Sequence, residues 1–250
     1  MLSEKPWRTD AVLRLCGALL VSVALGALVS AALRRYFSTA GADTLNFCHF
    51  IISNISFHGA ALWLVSIFLR EHQVDWRAAF GFTGARWPRT IGLAAAAVLV
   101  TLPASWALNL TSAWVMTQFH LEPIAQQAVQ TLQTTESPKD RIYFGVIAIL
   151  VAPAVEELLF RGILYPLVKQ RGHPHLALWG TACLFAATHN NLMTFVPLTF
   201  LALVLTWLYE KTDNLTTPIA AHALFNTANY VWLLNADSIS RLIERICRAG

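Results

Sequence analysis

Glu156, Glu157 and Arg161 lie within an otherwise apolar run, Tyr143 to Val168, that is long enough to cross a lipid bilayer. A charged side chain at mid-bilayer costs about 2.5–3.5 kcal/mol on insertion scales. Charges placed there must face protein or a water-filled cavity, and they mark a functional site by default. Glu157 and Arg161 are four residues apart with the acid on the N-terminal side, the favourable order for an ion pair on one helix face. Glu156 is rotated by about 100° on a 3.6-residue helix, so one guanidinium cannot meet both carboxylates in the same geometry. The expected division is a structural Glu157–Arg161 pair, with Glu156 left free for proton transfer. Pro153 removes a backbone donor just upstream and can kink the helix so that this stretch faces a cavity.

Two further polar groups sit on separate apolar segments. Phe185 and His189 are four apart on one face, followed by Asn190 and Asn191. By itself His189 fits an interfacial or helix-capping group as well as a catalytic one. Thr217 followed by Pro218 reads as a helix start, cap then first-turn proline. That start places His222 and Asn226 on one face, little more than a turn into the helix. Alone, the pair also fits hydrogen bonding between helices. Together, a carboxylate, two imidazoles and an amide supply a base, a proton donor and an oxyanion stabiliser, the groups hydrolysis needs. No Ser or Cys stands beside a His in these motifs, so a nucleophilic triad lacks support, and no HExxH helix occurs. Glu156, His189 and His222 could also form a His₂Glu zinc set with an open water position, so metal-free and zinc-dependent hydrolysis both stay open.

The elements that position these groups follow from composition. Of 250 residues, 56% are hydrophobic and 13% charged, with a mean hydropathy of +0.52. That is a polytopic, all-α transmembrane bundle with an intramembrane polar cavity, not a soluble domain. A sliding window finds about seven to eight spans. Seven can be delimited: Leu13 to Leu33, Leu45 to Leu69, Ile91 to Met116, the Glu156-bearing run, Leu176 to Asn190, Met193 to Tyr209 and Pro218 to Leu234. The first resembles a secretory signal after Lys5 and Arg8, but its length predicts a retained anchor. The chain reads as one domain, 1–250. N-terminal spans and interfacial segments occupy 1–140, the catalytic core 141–235 and a basic amphipathic tail 236–250.

The net charge of +4 suits anionic lipid headgroups, and no basic cluster is dense enough for nucleic acid. Basic residues favour a cytoplasmic N-terminus. Cys16, Cys48, Cys183 and Cys247 lie far apart with no CxxC pair, so neither a zinc knuckle nor a disulfide framework is signalled. Asn54, Asn109 and Asn214 head chance N-x-S/T triplets. Between Glu71 and Thr90, Trp76, Phe80, Phe82 and Trp87 alternate with Arg77, Arg86 and Arg89, a mixture suited to the headgroup region. The polar stretch from His120 to Asp140 reads either as a solvated loop or as a surface helix that gates substrate access.

The motifs EExxxR, FxxxH and HxxxN, in that order and on separate apolar segments, resemble the CPBP family of intramembrane proteases. That family includes the CAAX-processing Ras-converting enzyme and bacterial relatives. The resemblance spans Pro153 to Asn226; Asp75 to Arg77 and Gly81 to Gly84 resemble the segment ahead of the family's core. It implies that Glu156 is the general base that activates water, with His189 positioning or polarising that water. His222 and Asn226 would stabilise the oxyanion, and Glu157 would support Glu156 or pair with Arg161. It further implies a metal-free, glutamate-type endopeptidase acting on a membrane-embedded or lipid-anchored protein or peptide, while the compact length and the lack of a visible organelle signal point to a bacterial cytoplasmic membrane.

Two rival classes are weighed. A non-catalytic scaffold or bacteriocin self-immunity protein has no evident need for all four of Glu156, His189, His222 and Asn226. A proton-coupled transporter usually shows internal repeats, and the first half has no counterpart of the Glu pair.

Overall fold

A computed structural model of the chain describes residues 4–37, 41–82, 87–135 and 137–249, apart from the side chains of 42–43 and 236–249. The side chains expected to make residues 236–250 amphipathic therefore lie outside the described residues, as do Thr83, Gly84 and Arg86. All regular structure among the described residues is helical. The helices are α1 (Thr9–Tyr36), α2 (Thr44–Glu71), α3 (Trp76–Phe80), α4 (Trp87–Gln118) and α5 (Gln127–Thr134). After them come α6 (Pro138–Gln170), α7 (Pro174–Thr188), α8 (Leu192–Thr212) and α9 (Thr216–Ala249).

Among the described residues, five helices are long and apolar enough to cross a membrane: α1, α2, α4, α6 and α8. The expected spans at Leu176 to Asn190 and Pro218 to Leu234 do form helices but fall short for different reasons. The 15 residues of α7 rise only about 22 Å, against a hydrocarbon core of about 30 Å. α9 is long, yet His222, Asn226 and Asn229 dilute the hydropathy of its first turns. Leu20, Leu25 and Leu28 of α1 and Leu99, Leu110 and Trp114 of α4 point outward, an arrangement suited to hydrocarbon. α6 and α8 are the central helices: 33% and 44% of their most apolar windows are buried inside the bundle, against 17% for α1, α2 and α4.

The chain runs back and forth, so one end of the bundle collects the N-terminus of α1, the C-terminus of α2 and the start of α9. Trp7 packs on Phe68 at 5.0 Å between ring centroids, and Leu215 N–H donates to Phe80 O at 3.0 Å. Lys5 pairs with Asp213 at 3.7 Å, and partial burial lowers the pKa of Lys5 against the pull of that carboxylate. Here Arg8, Arg14 and Glu71 also meet, and Tyr165 and Lys169 both reach Glu210.

Phe80 of the aromatic connector is fully buried, because α3 is folded under α6. Asp75 caps α3, accepting from Arg77 N–H at 2.8 Å and Ala78 N–H at 3.1 Å, and these backbone donors hold its carboxyl below the usual range. Gly81 ends α3 at φ +71°, a left-handed conformation that glycine adopts without strain. Trp87, by contrast, is exposed, as an interfacial residue should be.

Gly162 is what lets Phe80 reach α6. A Cβ there would lie 2.7 Å from the Phe80 ring and 3.0 Å from Leu215. Alanine would gain about 1 kcal/mol in helix propensity. Overpacking against a ring with no room to move costs about 1–3 kcal/mol and outweighs that gain. Gly162→Ala is therefore expected to lower the thermal midpoint; an unchanged or higher midpoint would mean that Phe80 yields freely.

Candidate active site

α6 is not a continuous α-helix. It widens to i→i+5 bonding at Ile147–Val151 and again at Leu158–Leu164, flanking the short α-helical piece Ala152–Glu157. Such π-turns often mark functional sites because they loosen the backbone bonding. In the first, Ala152 N–H bonds Ile147 O. The next donor in that register belongs to residue 153, a proline with none to give. Asn226 fills the gap: its Nδ2 donates to Ala148 O at 2.7 Å. A similar gap is filled lower down. The α-helical donor for Gly162 O would be residue 166, also proline, and Trp7 Nε1 donates to that carbonyl at 2.9 Å.

Within this frame the two adjacent glutamates have separate environments. Glu157 is fully buried; its Oε1 accepts from Arg161 Nη1 at 2.9 Å and lies 2.9 Å from His222 Nδ1. Arg161, also buried, donates from Nη2 to Ala202 O at 2.9 Å and from Nε to Thr206 Oγ1 at 3.4 Å. Its guanidinium stands over the Phe185 ring, 4.8 Å from the centroid. Every donor edge of Arg161 is thus used on α6 or α8. Glu156 makes no hydrogen bond to another described side chain, and its side chain keeps 17% exposure. Its nearest charged neighbour of this set is His222, with Nε2 3.8 Å from Glu156 Oε2.

The third element is α7. His189 follows its last residue, with Nδ1 2.8 Å from Phe185 O. A carbonyl only accepts, so Nδ1 carries the proton and Nε2 of the neutral ring is left as an acceptor. His189 hydrogen-bonds to neither carboxylate. Phe185 joins the motifs instead: its ring lies 4.9 Å from His189, 5.8 Å from His222 and 5.3 Å from Phe160, centroid to centroid. In the sequence Phe185 defines only a helix face; its stack under Arg161 is set by tertiary packing. Thr206 and the Ala202 carbonyl were missed as well. The only signal for them is a threonine four residues after a small residue on an apolar helix.

α9 begins two residues earlier than expected. Thr216 is its first residue, and Asn214 rather than Thr217 caps it, its Oδ1 accepting from Thr216 N–H at 2.7 Å. Asn caps as well as Thr, and Pro218 still falls within the first turn, where no N–H is needed. His222 and Asn226 do share a face, His222 meeting the carboxylates and Asn226 the loosened turn above them.

The polar connector does contain a helix, α5. It is tied beside His189: Asn191 Nδ2 donates to Ile124 O at 2.8 Å, and Gln126 Nε2 donates to Thr194 Oγ1 at 2.9 Å. One histidine outside the three motifs also reaches this region. His58, in a π-turn of α2 (Ile55–Gly59), lies close enough to Glu156 for their charges to interact.

The zinc alternative can be set against this geometry. Among the described residues, no group of three or more His, Cys, Asp or Glu side chains is arranged to hold a metal ion. Glu156, His189 and His222 thus do not converge as a ligand set.

Comparison with known proteins agrees with this region. Residues 138–228 match the family described as type II CAAX prenyl endopeptidase Rce1-like. The chain is similar to two proteins of Bacillus subtilis (strain 168). It is 33% identical over 84 residues to the uncharacterized protein YpbD, covering 32% of this chain and 40% of that one. It is 23% identical over 100 residues to YdiL, which is named as a candidate membrane peptidase, covering 40% of each chain. The chain therefore spans well under half the length of these curated relatives. No solved structure matches it. The matched stretch is the one that carries EExxxR, FxxxH and HxxxN, and over it this helical chain is similar to the Rce1-like CAAX protease family.

Proposed function

We propose that the chain is an intramembrane endopeptidase in which Glu156 activates the hydrolytic water without a metal. The observation that carries this reading is the asymmetry of the glutamate pair. Glu157 is locked by Arg161 and His222, while Glu156 makes no hydrogen bond to another described side chain and is partly open beside two imidazoles. A spectator pair would leave neither carboxylate free.

In this mechanism Glu156 takes a proton from water, and the resulting hydroxide attacks the substrate carbonyl carbon. The unprotonated Nε2 of His189 accepts a hydrogen bond from that water and orients it. His222 is anchored through Nδ1 to Glu157, so Nε2 faces Glu156. A proton passed there from Glu156 lets His222 donate to the oxyanion and then to the leaving amine. Asn226 spends one amide proton on Ala148 O and has a second to offer the oxyanion. The substrate we infer is a peptide bond in a membrane-embedded or lipid-anchored protein, since the groups sit among bilayer-crossing helices. A bacterial cytoplasmic membrane is the proposed location, supported by the bacterial relatives and by the cluster of cations at the Lys5 end.

The test compares membrane-protein N- and C-termini in cells carrying wild type or Glu156→Ala at matched abundance. A defined set of ends lost in the variant, with longer precursors accumulating, supports the reading and names substrates. Unchanged termini across growth conditions would favour the scaffold or self-immunity role instead. For the metal-free mechanism, the cleavage rate of purified protein is expected to be unaffected by prolonged chelation. A loss that added zinc restores would replace this mechanism with a zinc-dependent one.

A further inference from the structure

We propose that His58 is a positioning residue for this reaction, a third imidazole that holds the Glu156 carboxylate, and the water before it, from the N-terminal half of the chain. The inference rests on the endopeptidase reading.

The placement follows from two ties between α2 and α6, one toward each end of the pair. At one end of the bundle Phe50 of α2 stacks on Phe144 of α6, with centroids 5.6 Å apart. At the other end Trp7 ties the two helices together, packing on Phe68 of α2 and donating to Gly162 O of α6. Phe50 to Phe68 is 18 residues, and so is Phe144 to Gly162, so the helices are parallel and in step between the two ties. His58 is eight residues past the first tie and Glu156 is twelve. The difference of four residues is about 6 Å along the axis. Side chains on parallel helices lean the same way, so this offset is left for the reach of the two side chains to span. The charge interaction between the two groups agrees with this register.

His58 also lacks the partners a structural histidine would have. Its ring approaches the Asn54 carbonyl, yet Nδ1 is buried and makes no hydrogen bond. A buried imidazole nitrogen without a partner costs stability, so some other gain must retain it. Its backbone is unusual too, since Ile55–Gly59 is a π-turn inside an otherwise α-helical span. The other neighbours of Glu156 are already engaged: Glu157 by Arg161, and His222 by Glu157. His58 Nδ1, by contrast, is not taken up by any such bond.

The test has two arms. First, wild type and Glu156→Ala are compared for a cleavage that depends on Glu156. If none exists, the endopeptidase reading fails and the role of His58 falls with it. With a cleaved sequence in hand, purified full-length wild type, His58→Phe and His58→Gln are compared by kcat and KM per folded molecule. Misplacing a reacting group by about 1 Å costs on the order of 10²-fold, so His58→Phe is expected to lower kcat by about that factor with little change in KM. His58→Gln keeps a hydrogen-bonding group and is expected to recover much of the loss. Wild-type kcat in both variants overturns the proposal and leaves the endopeptidase reading standing. A deficit confined to yield or thermal stability, which a purely structural histidine would give, overturns it equally. If His58→Phe does not accumulate, His58→Gln and His58→Asn carry the same comparison with the same criteria.

Discussion

Glu156→Gln is expected to leave a folded protein that no longer cleaves. Removing a general base costs about 10²–10⁴-fold, and here the same carboxylate also orients the water, so the loss in kcat should lie at the upper end of that range. Stability should hardly change. The Glu156 side chain is partly open and bonds to no other described side chain, and substitutions of that kind stay within about 0.5 kcal/mol. For a chain of this size that is a thermal midpoint shift of about 2 °C at most. The measurement is a single-turnover rate on a peptide identified from the altered termini, beside a thermal melt in the same detergent. Retained cleavage at wild-type rate in a folded variant would remove Glu156 from the mechanism, whatever became of the other residues.

Arg161→Ala should behave in the opposite way, losing stability first and activity as a consequence. Arg161 is bound at four points: the Glu157 carboxylate, the Ala202 carbonyl, the Thr206 hydroxyl and the Phe185 ring. Truncating it strands the fully buried Glu157 charge, and breaking a buried ion pair from one side costs about 3–5 kcal/mol. That is a large share of the roughly 5–15 kcal/mol that holds a typical domain together, so the folded yield should fall steeply. Arg161→Lys should be intermediate, because a compact ammonium cannot span the carboxylate, the carbonyl and the hydroxyl together. The double replacement Glu157→Gln with Arg161→Met removes both charges and should restore part of the yield without restoring cleavage. Wild-type yield and melting for Arg161→Ala alone would show that the buried pair is not what holds α6 to α8.

These two residues also show how far the sequence could be read. The i,i+4 spacing of Glu157 and Arg161, and the 100° rotation of Glu156, are properties of any α-helix, so the split between a locked and a free carboxylate was legible before any packing was known. The helical bundle was equally legible, since apolar runs of this length admit few other structures in a membrane. The number of crossing helices was less so. Hydropathy cannot tell a short helix such as α7, which rises only about 22 Å, from a span.

The sequence by itself determined the chemical inventory and its local geometry: which helix bears which polar group, and on which face, because helix periodicity depends only on neighbours along the chain. Only the tertiary structure decided how those faces meet. It sets Phe185 beneath Arg161 and beside both motif histidines, and it turns the donorless prolines Pro153 and Pro166 into docking points for Asn226 and Trp7. It buries Phe80 against Gly162, and it sets His58 of α2 within the field of the Glu156 charge, 98 positions away in sequence. Such contacts are set by helix register and by close packing between distant segments. The identity of the residues alone carries no trace of them.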